Sequence, residues 1–94
     1  MQVIVDKSSY DNLQLYLTRI IALDVREMLS QAGLSGVALQ DAVEAVTFGI
    51  TTIIDGSRVM EHENQPVVPV LTFGVLDDNE KLQDLLSIGQ FAHE

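Results

Sequence analysis

The sequence predicts an α+β fold: two main helices packed with a small antiparallel sheet, followed by a short C-terminal helix. Three observations predict it. Residues 8–32 contain neither Gly nor Pro and carry apolar side chains at helical spacing. A second helical pattern follows the Gly33-Leu34-Ser35-Gly36 connection. Beyond Gly56 the chain becomes rich in β-branched residues and is punctuated by Pro66 and Pro69. No internal repeat or long linker interrupts the 94 residues, so one domain over 1–94 is expected.

Gln2 to Asp6 alternates around Val3 and Val5 and reads as a short strand. Ser8 and Ser9 then offer an N-cap, and Gly33 a C-terminal stop, which brackets a first helix at about 10–32. At 100° per residue, Leu13, Tyr16, Leu17, Ile20, Ile21, Val25, Met28 and Ala32 fall on one broad face. Leu15, Ala22, Leu23 and Leu29 extend that face, leaving only Asn12, Arg19, Arg26 and Ser30 as a polar stripe. A short chain has few elements with which to surround such a helix, so it is expected to be shared between two protomers.

The second helix is expected at about 37–55, with Leu39, Val43, Val46, Ile50, Ile53 and Ile54 as its bulky core face. Beside them runs a strip of small residues, Ala38, Ala42, Ala45, Gly49 and Thr52, on which another helix can approach closely. The competing reading is a strand over 47–54, where β-branched residues dominate and Asp55-Gly56 can form a hairpin turn.

Arg58 to Glu63 reads as a strand, Asn64-Gln65-Pro66 as a turn, and Val67 to Leu76 as a strand with Val67, Leu71, Phe73 and Val75 on one face. The two prolines lack ladder donors, so that strand is expected to start irregularly or to lie at a sheet edge. Asp77-x-x-Glu80 then reads as a capping box before Leu82, Leu85, Leu86 and Gly89, the third helix.

With 14 acidic against 5 basic residues the formal charge is −9. Direct nucleic-acid binding and attraction to anionic membranes are therefore not expected. The absence of Cys removes disulfides, thiolate nucleophiles and sulfur-based zinc sites, in keeping with a cytoplasmic protein. The N-terminal residues lack a charged region followed by a long apolar one, and no apolar run approaches a membrane span, so neither a secretory leader nor an anchor is expected.

Candidate chemistry is sparse. Glu61-His62-Glu63 and His93-Glu94 are the only grouping that suggests a metal, and an extended backbone would point His62 away from its two carboxylate neighbours. Asp55-Gly56-Ser57 places a carboxylate near a hydroxyl, with His62 as a conceivable base, yet Gly56 as a helix stop explains the segment without catalysis. Phosphate-cradling glycine motifs are missing. No cofactor is expected.

Two features remain. Asp24 falls within the apolar stripe of the first helix without a basic partner at i±3 or i±4, so a donor elsewhere, an interface or a pocket must accommodate it. On the second helix, Asp41, Glu44, Phe48 and Asp55 share the face opposite the core, an aromatic set among acids with no Lys or Arg. That face fits a docking surface for a basic protein. The expected function is a small, acidic, non-enzymatic interaction module, an adaptor or inhibitor of a basic protein, acting as a homodimer. The alternatives are a ligand-binding or catalytic domain built on a buried Asp24, and a purely structural self-assembling subunit.

Overall fold

The computed structural model describes residues 2–87. Strand β1 is Val3–Val5, helix α1 Lys7–Gln31 and helix α2 Gly36–Ile54. Strands β2 (Met60–His62), β3 (Gln65–Val67), β4 (Phe73–Leu76) and β5 (Leu82–Ser87) follow. The α+β class and both main helices agree with the sequence, and the β-branched run at 47–54 is helical.

Helix α1 starts earlier than Ser8 and Ser9 suggest. Asp6 is its N-cap, and its carboxylate accepts from Ser9 N at 3.2 Å and from Ser9 Oγ at 2.9 Å. An aspartate oxygen accepts at this position as readily as a serine oxygen, which moves the start back into the first turn. At the other end Leu34 N donates to Leu29 O and Gly33 N to Ser30 O, both at 3.1 Å. Gly33 holds φ +106 there, a Schellman stop that glycine adopts without steric cost.

Three strands form a mixed sheet in the order β1-β5-β4, with β1 parallel and β4 antiparallel to the central β5. The expected sheet was wholly antiparallel; the difference arises because both helices lie between β1 and β5 and act as the long crossover that parallel neighbours require. Leu82 to Ser87 forms this central strand rather than the start of the third helix, and the rest of that expected helix lies outside the described residues. Asp77 caps a hairpin turn instead of a helix: its Oδ1 accepts from Asn79 N at 2.8 Å and Lys81 N at 3.0 Å. Ladders on both sides, to β1 and to β4, satisfy the backbone of β5 as a strand.

The 67–76 region is also divided. β2 and β3 form a separate two-stranded hairpin, and residues 68–72 cross to β4 without strand pairing. The turn lies at Glu63 and Asn64, with φ of 50° and 66°, one residue before the expected position. His62 pairs with Gln65 across it, the geometry of a two-residue hairpin loop.

Among the described residues, the buried apolar side chains are Tyr10, Val25, Leu39 and Leu86, and twenty large apolar side chains are exposed. The expected core faces of both helices therefore split. On α1, Val25 is buried and Leu17 and Ile21 half-buried, whereas Leu13, Tyr16, Ile20 and Met28 face solvent. On α2, Leu39 is buried and Val43, Ile50 and Ile54 half-buried, whereas Val46 and Ile53 are exposed. A Cβ added at Gly49 would meet nothing within 4 Å, so the small-residue strip is open at that point.

By length and composition α2 is long and apolar enough to cross a membrane, which corrects the expectation that no segment comes near a span. It packs against α1, and Asp41 and Glu44 stand on its exposed side. A carboxylate at a bilayer centre costs about 2.5–3.5 kcal/mol on insertion scales.

Candidate functional site

Leu39 and Thr47 are the buried residues of α2. At 100° per residue, Val37, Asp41, Glu44 and Phe48 follow the spacing i, i+4, i+7, i+11 along one stripe. All four are exposed, Phe48 by 70% and Val37 by 74%. Val37 was not foreseen as part of this face, although the spacing that groups the other three includes it.

Phe48 borders an open groove of about 310 Å³. Thr18 and Ala22 of α1 form one wall; Val43, Glu44, Thr47 and Thr51 of α2 complete it. The Thr47 hydroxyl is buried without a hydrogen-bond partner among the described residues. The groove is therefore apolar with an acidic rim, and Glu44 belongs both to the groove and to the stripe.

Asp55 stands apart from the other acids. It is half-buried at the end of α2, and its Oδ1 accepts from Ser57 N at 2.8 Å. Among the described residues it makes no ion pair with Arg58; the backbone amide of its own turn relieves it instead. Asp55 also lines a cleft of about 20 Å³ with Gln14, Thr51 and Leu71, room for a single water.

The same contact bears on catalysis, because the Asp55 carboxylate is engaged by the Ser57 amide and, among the described residues, makes no hydrogen bond with the Ser57 hydroxyl. His62 is exposed on β2, its Nε2 3.9 Å from Glu63 Oε1. Among the described residues no three His, Asp or Glu side chains gather to hold a metal ion, and His93 and Glu94 lie outside them. Asp24 is exposed on α1 and makes no ion pair among the described residues.

Tyr10 is a buried residue that sequence periodicity missed. Its hydroxyl donates to Leu71 O at 2.9 Å, and its ring meets Phe73 edge-on with centroids 5.4 Å apart. Burial, then the charges of Asp55 and Asp11, push its pKa above the usual tyrosine value. No known family model matches the chain, and no curated protein or solved structure shows significant similarity to it.

Proposed function

We propose that this chain is a non-enzymatic, acidic protein-interaction module of the cytoplasm, acting as a homodimer and holding a basic partner on the outer face of α2. The observation that carries this reading is Phe48, a large aromatic 70% exposed between groove and acids. An aromatic anchor supplies most of the affinity at such a surface, while Asp41 and Glu44 steer a cationic partner and select against acidic ones. Asp55 contributes charge at the end of the stripe, although its carboxylate is already hydrogen-bonded.

The test is capture from lysate on immobilised protein at low salt, comparing the wild type with Phe48→Ala and with the double change Asp41→Asn, Glu44→Gln. A basic protein retained by the wild type, lost with Phe48→Ala and weakened in the double variant is the expected result. Equal retention by all three would remove this face from the proposal. The second reading, a self-assembling structural subunit, is favoured by the extent of exposed apolar surface and predicts that only further copies of the chain are retained.

A further inference from the structure

The geometry points to a parallel pairing of α1 with α1 of a second copy, along the seam Leu13, Tyr16, Ile20 and Leu23 and in a register that sets Arg19 against Asp24 of the other chain. This specifies the dimer invoked above and uses a different helix from the docking face.

The four seam residues are spaced three, four and three apart, the alternation by which one helix lays a continuous apolar edge along another. All four are exposed, Tyr16 and Leu23 by 65% and 67%, whereas Val25 on the opposite side of α1 is 6% exposed. The helix is thus seated in its own chain by one side and bare on the other. Ile20 and Leu23 occupy the two seam positions in the order that favours two parallel strands, β-branched then Leu.

Surface area leaves room for a second copy, and charge selects it. The chain presents 6980 Å², where a folded chain of its mass presents about 5,400 Å². The excess is roughly 1,600 Å², and still roughly 700 Å² when the undescribed residues are allotted the area of unfolded chain. One partner in a stable interface contributes about 800 Å².

Charge selects the direction. Arg19 and Arg26 lie along one flank of the seam and Asp24 along the other, and none of them makes an ion pair among the described residues. In an antiparallel pair each flank meets the like flank, so Arg19 meets Arg19 and Asp24 meets no arginine. In a parallel pair opposite flanks meet, and a residue contacts the one five positions further along the other chain, which joins Arg19 to Asp24 twice about the axis. Asp24 thereby gains the partner that its own helix does not provide. Glu27 takes the next seam position and would meet its own copy, so the pairing ends there.

The chain has no Cys, which gives crosslinking no background. Tyr16→Cys and Leu23→Cys are each oxidised mildly in the full chain and run on a non-reducing gel. Identical positions face each other across a parallel seam, so each variant alone should form a linked dimer. In the antiparallel seam that uses all four residues, Leu13 faces Leu23 and Tyr16 faces Ile20 of the other chain, so position 23 lies about 15 Å along the axis from its own copy and Leu23→Cys alone could not link. That outcome, or no link from either variant, overturns the proposal.

Charge reversal provides an independent readout should a Cys variant fail to fold. Arg19→Asp should weaken dimerisation roughly tenfold by sedimentation, and adding Asp24→Arg should restore it; no recovery overturns the register. A wild type monomeric at every concentration would remove the dimer reading itself, whereas a dimer that fails the crosslinking test loses only this seam.

Discussion

The Tyr10 hydroxyl lies 2.9 Å from the carbonyl oxygen of Leu71, joining the first turns of α1 to the unpaired segment that leads into β4. This contact and the edge-on packing of Tyr10 on Phe73 tie the helical and sheet halves together. Tyr10→Phe keeps the ring and removes the hydrogen bond, so it should cost about 1 kcal/mol in denaturant unfolding.

The same residue predicts an alkaline limit. The raised pKa of Tyr10 means that its contribution is fully present below the unfolded tyrosine value, near pH 10, and is lost as pH rises through the higher folded value. Circular dichroism followed upward from about pH 10 should show less loss of structure in Tyr10→Phe than in the wild type, relative to each protein at neutral pH. Identical alkaline profiles would show that Tyr10 ionisation is not coupled to unfolding.

Two glycines should respond with opposite sign. Gly56 is buried at φ +79, and a Cβ there would sit 2.9 Å from Pro69 O, so Gly56→Ala meets both a disfavoured backbone and a carbonyl that cannot give way. A loss of about 2 kcal/mol or more is expected. Gly49 lies inside α2 with open space around it, and Gly49→Ala should stabilise the chain by up to about 1 kcal/mol. Destabilisation by Gly49→Ala would mean that a second surface packs closely on this side of α2.

Both helices are legible in the sequence because their spacing and their end signals coincide, with Gly33 closing one and Gly56 following the other. The third helix is not, because Leu82, Leu85 and Leu86 fit helical spacing equally well. What decides their state is pairing with β1 and β4, and β1 lies at the far end of the chain. Strand direction escapes for a related reason: alternation reports which face a residue takes, never which way its neighbour runs. Asp41, Glu44 and Phe48 emerge together from spacing alone, whereas the turn that occupies Asp55 depends on the local path of Gly56 and Ser57. The exposed half of α1 is hidden in the pattern as well, since residues that contact another chain and residues that fill a core carry the same apolar signature.

Asp6 predicts an acid limit through the start of α1. Hydrogen bonds from the Ser9 amide and then the Ser9 hydroxyl hold its carboxyl below the usual aspartate range. A depressed carboxylate contributes stability above its unfolded value, near pH 4, and loses it as pH falls through the folded value. Asp6→Asn retains a capping oxygen but does not titrate, so its melting temperature should fall less between pH 5 and pH 2 than that of the wild type. Asp6→Ala should melt lower than both at neutral pH, and equal melting of all three there would show that the cap is dispensable.

Thr47 offers the last test, because its hydroxyl is buried at the groove without a partner among the described residues. A helical Thr ordinarily turns its Oγ back onto a carbonyl of the preceding turn, as Thr51 and Thr52 do at 3.1 and 3.0 Å. Burying a hydroxyl without a protein partner costs on the order of 1–3 kcal/mol, and Val has nearly the same shape without that cost. Thr47→Val should therefore stabilise the chain by about 1 kcal/mol in chemical unfolding. The substitution leaves Phe48 and the acids untouched, so partner capture should persist if those residues alone hold the partner. If capture falls while stability rises, the Thr47 hydroxyl is paired in the complex and the partner reaches into the groove as well as across its rim.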